Sequence, residues 1–257
     1  RAALYDAAIA SAARAIAIAP DLADAHSTLG YTLFQGRLDA RAAREPFERS
    51  VLSGSGEATV LARYAQYSAR TGRDSEAVTA MKRALRLDPL NPLIYRAAGS
   101  VDFAARRYAE SIPPLRKALD MNPKMGRAHA SIGDALLMLG RVADARVEYA
   151  AEPAMDFNLA GIAIAGHRLG DKAAAGAAFD RLQTELGDKA LYQQAQVFAQ
   201  MGDGESAITA LEQARAVVDG GLIYALNDPL LDPLRGDPRF ARLLQGMGFD
   251  GGTAPAA

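Results

Sequence analysis

The chain contains no cysteine and no tryptophan among its 257 residues. The missing thiols exclude disulfides, thiolate metal sites and cysteine nucleophiles, and they leave the redox compartment undecided. Aromatic residues make up only 7%. Charge of one sign is also missing: 29 basic residues face 30 acidic ones, for a net −1. A nucleic-acid footprint needs a basic face and an acidic tail needs a run of carboxylates, and neither is present. No apolar run approaches the roughly 18 residues that span a bilayer. "LAGIAIAG" (159–166) is short and runs into His167 and Arg168. No signal peptide is visible. The chain opens on "RAALYDAA", without methionine and already in a helical pattern, so it is expected to be cut from something longer.

Catalytic signatures are equally scarce. No serine stands in a Gly-x-Ser-x-Gly elbow, no glycine-rich loop follows a strand, and no HExxH occurs. These gaps point away from an enzyme, and no cofactor or metal is expected. Of the three histidines, His26 and His129 both sit three residues before a Leu-Gly or Ile-Gly pair, which reads as helix packing. His167 has no acid beside it in sequence to tune it for catalysis. "SGSGE" (53–57) reads as a plain connector.

What is present is alanine, inside a composition that is 50% hydrophobic. Alanine is the best helix former and lets helices approach closely, so an all-α protein with tight crossings is expected. Self-similarity then supplies the architecture. Pro89 and Pro123, Ala84 and Ala118, and Gly99 and Gly133 are each 34 residues apart, and Gly72 and Gly140 are 68 apart. "RAIAIAPD" (14–21) matches "RALRLDPL" (83–90), and "FERSVL" (47–52) lies 34 before "MKRALR" (81–86). Each unit reads as two helices. In 58–90, Leu61, Tyr64, Ala65 and Ser68 have helical spacing up to the glycine of "RTGRD". Asp74 or Ser75 can cap the second helix, which carries Ala77, Met81, Ala84 and Leu85 and stops at Asp88-Pro89. Ala65, Gly99 and Gly133 in first helices, and Ala77, Ala145 and Ala207 in second helices, mark the crossings.

On "HSTLG" (26–30), "YRAAG" (95–99), "HASIG" (129–133), "EYA" (148–150) and the Asp/Asn-Pro stops, the chain resembles the tetratricopeptide repeat family. The resemblance implies an all-α, right-handed superhelical solenoid of antiparallel helix pairs. The expected array covers 1–219: a partial unit at 1–21, then units 22–55, 56–91, 92–125, 126–155, 156–187 and 188–219. Spacings of 30 from Gly140 to Gly170 and 32 from Gly170 to Gly202 shorten the later turns. Pro46, Pro113 and Pro114 break the helix rule, predicting a bend or a late start. Residues 220–250 lose the register and read as capping helices folded back on the last unit, with Asp237-Pro238 opening one of them. A flexible tail is expected at 251–257. "DPLLDPLRGDPRFARLL" also looks like the tails of repeat arrays in bacterial multidomain regulators.

In that family certain places of the first helix face a concave groove. Carried over, they give Tyr31, Phe34, Gln66, Arg70, Arg96, Phe103, Arg127, Asp134, Met138, His167, Arg168, Tyr192 and Gln196. Arginines, aromatics and amides are types enriched at binding hot spots. Arg70, Arg96 and Arg127 come from consecutive units and suit an acidic segment or a free carboxylate. The asparagine of the family's carboxylate clamp is missing, so chaperone C-termini are not the expected ligand. The expectation is a protein- or peptide-binding scaffold within a larger bacterial regulator. A free-standing assembly adaptor or the specificity arm of an enzyme are the alternatives.

Overall fold

The computed structural model of the chain describes residues 2–249, so the tail expected at 251–257 lies outside the described residues. Helix α1 (Ala2–Ile18) is followed by six helical hairpins. They are α2 (Ala23–Gly36) with α3 (Arg44–Ser53), α4 (Ala58–Arg70) with α5 (Asp74–Leu87), and α6 (Pro92–Ala104) with α7 (Tyr108–Met121). The other three are α8 (Ala128–Met138) with α9 (Val142–Ala151), α10 (Met155–Arg168) with α11 (Lys172–Arg181), and α12 (Leu191–Met201) with α13 (Gly204–Ala216). Each first helix packs on its own partner and on the first helix of the next hairpin, which stacks the units into a superhelix.

The hairpin turns explain the period. Leu38, Gly72, Arg106 and Gly140 stand 34 apart and all have left-handed backbone, with φ of 50°, 77°, 58° and 76°. Gly170 and Gly202 follow, at 77° and 86°. Arg73, Arg107, Arg141, Asp171 and Asp203 each donate their N–H to the carbonyl five residues back, at 2.8 to 2.9 Å. That bond needs the left-handed residue before it, and glycine adopts it without strain. Leu38 and Arg106 adopt it at a cost of roughly 1–2 kcal/mol.

The crossings are equally specific. A Cβ on Gly30 would lie 2.8 Å from the Phe47 ring, one on Gly99 2.5 Å from Leu115, and one on Gly133 2.6 Å from Tyr149. A glycine in the first helix thus meets a large side chain from the second. Ala65, Ala77, Ala145 and Ala207 are fully buried at such contacts.

The prolines fit without breaking an element. Helix α3 starts at Arg44, so Pro46 lies in the first turn, where its absent N–H has no helical acceptor to lose. Pro113 and Pro114 lie inside α7. They leave the carbonyls of Ala109 and Glu110 without helical donors, and both residues are exposed to water. In the fifth full unit α11 runs on into a π turn (Leu182–Leu186) and a 3-10 turn (Gly187–Ala190) that leads into α12.

After α13 the chain does more than cover the last unit. Asp219 turns it by accepting from Gly221 N at 2.8 Å and Tyr192 N at 3.1 Å. Two 3-10 turns follow, Gly220–Tyr224 and Pro229–Leu234, the second capped by Asp228. Helix α14 (Pro238–Gly246) begins behind Asp237, whose carboxylate accepts from Arg239 N at 2.7 Å. This strap packs on α12 and α13, then crosses the concave side. Arg106 grips Asp232 with two bonds of 2.7 Å, and Ala40 N donates to Met247 O at 2.8 Å. Phe249 ends edge-on against Phe34, with ring centroids 6.2 Å apart. A simple cap would keep a polar outer face. Here Leu222, Ile223, Leu226, Leu230 and Leu231 are all buried. One apolar cluster therefore joins Phe34, Phe47 and Tyr67 near the start of the array to Leu211, Leu222, Phe240 and Phe249 at its end.

Candidate functional site: an arginine-lined pocket under the strap

The superhelix and the strap enclose a pocket of about 250 Å³. Seven of the thirteen groove residues line it: Arg70, Arg96, Phe103, Arg127, Asp134, Tyr192 and Gln196. The other six lie elsewhere. Phe34 is buried against Tyr67 and Phe249 and belongs to the core. Met138 packs into the apolar cluster around Tyr149. Tyr31 is exposed beneath the Arg63 guanidinium, and Gln66 is half-buried. His167 and Arg168 are exposed, and Arg168 donates to Gln200 Oε1 at 2.5 Å. The strap accounts for Phe34, which Phe249 covers, and the pocket is lined from α2 to α12.

The arginine end of the pocket is organised around Tyr224, which the strap delivers. Arg70 Nη2 and Arg127 Nη1 donate to the Tyr224 hydroxyl at 2.9 and 2.7 Å. Their guanidinium carbons lie 4.2 and 4.6 Å from its ring centroid. Arg127 also lies 4.5 Å from the Phe157 ring centroid. It is held in left-handed backbone at φ 68° just ahead of α8, and its N–H donates to Glu152 Oε1 at 2.8 Å. Arg96 completes the group.

The fields in this group follow from burial and like charge. Burial lowers the pKa of Arg70, and Arg127 and Arg96 push it down further. Burial likewise lowers Arg96, again with Arg127 opposing its charge. Burial is also the largest influence on Arg127 and acts downward, yet Tyr224, Asp134 and Asp156 together outweigh it and raise the pKa. For Tyr224 burial works upward, but Arg127, Arg70 and Arg96 together win and bring it down to about 8. Among the described residues no carboxylate comes within 4.0 Å of these three guanidinium groups. Arg70 Nε is buried with no hydrogen-bond partner.

Asp134 and Asp228, which line the rest of the pocket, are occupied. Tyr149 donates to Asp134 at 2.8 Å, and burial raises Asp134 to about 7. Asp228 accepts from Tyr192 and Gln196, each at 2.6 Å, and burial raises it too. Asp156 is raised by burial. Repeat register could not have found Tyr224 or Asp228, because both lie in the segment without a period. Asp156, Phe157 and Gln35 do lie on first helices, and Phe157, second in its unit as Arg127 is in the one before, was within reach of the register. The histidines are structural where they are buried. His26 Nε2 lies 2.7 Å from Pro20 O, and His129 Nδ1 lies 2.8 Å from Glu148 Oε2.

A helical-hairpin solenoid with this turn and crossing chemistry is a tetratricopeptide-repeat fold. Models of the tetratricopeptide repeat match residues 58–101 and 96–156, so this stretch of the chain carries tetratricopeptide repeats. No curated protein matches it. Among solved structures, PilF of Pseudomonas aeruginosa superimposes with a TM-score of 0.54 at 18% identity, over 80% of this chain and 96% of that one. The type IV pilus biogenesis factor PilW gives 0.57 at 20%, over 76% and 92%. The anaphase-promoting-complex assembly Cut9–Hcn1 gives 0.63 at 15%, over 95% of this chain and 46% of that one. At such identities the likeness is one of fold alone.

Proposed function

We propose that the chain is a non-catalytic protein-interaction scaffold whose pocket grips an acidic segment or a free carboxylate of a protein or peptide. The observation that carries this reading is the convergence of Arg70, Arg96 and Arg127 on one cavity with no carboxylate partner. Guanidinium forks match carboxylates bidentately, and a dehydrated site strengthens each bond. The two Tyr–Asp pairs that reach the cavity favour binding over chemistry. Burial holds the pKa of Tyr149 and Tyr192 well above the ordinary value, so neither hydroxyl is an activated nucleophile. The likeness of residues 228–244 to regulator tails supports a place in a larger bacterial regulatory protein.

The test uses short peptides ending in Asp or Glu, with free or amidated C-termini, in fluorescence polarisation against the full chain. Free acidic ends are expected to bind at least tenfold more tightly than amidated neutral ones, and Arg96→Glu should remove the difference. Arg96 is the residue to change, because its side chain makes no hydrogen bond or ion pair that folding needs. Equal binding of both peptide kinds would count against the pocket as the reader.

A further inference from the structure

We propose that the anion subsite formed by Arg70, Arg96 and Arg127 is built for a phosphoryl group, with the Tyr224 hydroxyl as a permanent fourth wall. The proposal rests on the reading of the pocket as the ligand-contacting surface, and it specifies the chemistry of the group that enters.

Charge count favours a dianion. Three guanidinium groups share one cavity, and the contacts at hydrogen-bond distance offer them one neutral oxygen, the phenol of Tyr224. Acids further off offset part of this charge. Asp134 and Asp156 act on Arg127 and Glu152 acts on Arg96, all from beyond contact distance. Asp134 is engaged by Tyr149, and Glu152 accepts the backbone N–H groups of Arg127, Ala130 and Ala154. A single carboxylate would answer one cation. A phosphoryl group brings nearly two charges and three acceptor oxygens, enough for three forks.

Donor count agrees. Arg70 is only 8% exposed, yet its Nε is buried without a partner. A buried donor left unmade costs about 1–3 kcal/mol, so Arg70 carries an unmet demand for an acceptor at the edge of this site. Arg96 makes no hydrogen bond at all among the described residues. Arg127 is held in left-handed backbone while its amide is tied to Glu152, a strained posture kept at the site itself. A cavity of about 250 Å³ roofed by the strap admits a compact phosphorylated group and excludes a helix.

The phosphoryl group has two possible sources, a free small phosphate or a phosphorylated side chain on a partner. The experiment is calorimetric titration of the full chain at constant ionic strength and pH 8, with glycerol phosphate in one arm and a phosphoserine peptide in another. An acetate arm and the unphosphorylated peptide serve as controls. Either phosphorylated probe should bind at least tenfold more tightly than its control, and the tighter one identifies the source. Arg96→Gln should weaken that binding at least tenfold while the melting temperature of the unliganded protein stays equal or rises, because a like-charge neighbour has been removed. In parallel, bound phosphate should raise the midpoint at which Tyr224 ionises, a signal absent in Tyr224→Phe. No preference for either phosphorylated probe overturns the proposal, as does binding that Arg96→Gln leaves unchanged. Acidic peptides that bind through Arg96 while both phosphorylated probes fail would sink this proposal and leave the scaffold reading standing. The opposite pattern would do the reverse.

Discussion

At the scale of single residues, the pocket trades stability for readiness. Tyr224 is the clearest case, since the three arginines hold its phenol near pH 8 against the pull of burial. A folded-state value below the ordinary 10.0 means that its ionisation adds stability above the unfolded value and loses it as pH falls through about 8. Spectrophotometric titration should show one tyrosine of nine ionising early, near pH 8, and Tyr224→Phe should delete that step. Asp134 has the opposite sign. Its value is raised from 3.8 to about 7, so the protonated form is favoured and stability falls as pH rises across that window. Asp134→Asn should flatten the melting temperature between pH 4 and 7 relative to the parent. At the crossings the residue rule is steric. A Cβ on Gly161 would come within 2.1 Å of the Tyr149 ring, which is itself fully buried. Gly161→Ala should cost about 1–3 kcal/mol in urea denaturation. The repeat pattern exposed Gly133 as such a position. It was silent on Gly161, because contact between one unit's Tyr149 and the next unit's glycine depends on how units stack.

At the scale of elements, the turn at Arg106 shows one residue under two demands. It takes the left-handed place where other units have glycine, and its side chain ties the strap to Asp232. The pair is partly exposed, at 21% and 36%, and is worth about 1 kcal/mol or less. Backbone strain works against it with a similar magnitude. Arg106→Ala should therefore lower the melting temperature, while Arg106→Gly should leave it nearly unchanged. Both should speed amide hydrogen exchange over residues 229–234. If exchange there stays slow in both variants, the pair does not hold the strap. The six hairpins were legible in the sequence because their determinants are local: a glycine turn, small crossing residues and a proline stop. The strap was legible as a loss of register and a helix start at Asp237-Pro238, but its path was not. Its two 3-10 turns follow from Asp219 and Asp228 capping their own backbone, and their destination follows from apolar surface that other units supply.

At the scale of the whole molecule, the strap turns an open array into a closed one. The cluster that joins Phe34, Phe47 and Tyr67 to Leu222, Phe240 and Phe249 spans both ends of the solenoid, so the ends should not unfold independently. A chain ending at Asp219 should keep most of its helicity. It should also melt at a lower temperature, over a broader transition, with a larger radius of gyration in X-ray scattering. A sharp transition and unchanged radius would show that the hairpins alone set the curvature. The sequence by itself determined the repeat and the all-α solenoid fold, because each depends on contacts within 34 residues and on residue types that only one backbone geometry accepts. It also placed Arg70 and Arg96 on first helices and Arg127 at the start of one, where the structure has it as the left-handed residue just ahead of α8. Only the tertiary structure decided that these three meet around Tyr224 and that Phe34 and Met138 are packing residues. Those facts depend on contacts such as that of Arg70 with Tyr224, 154 positions apart, which no local period encodes.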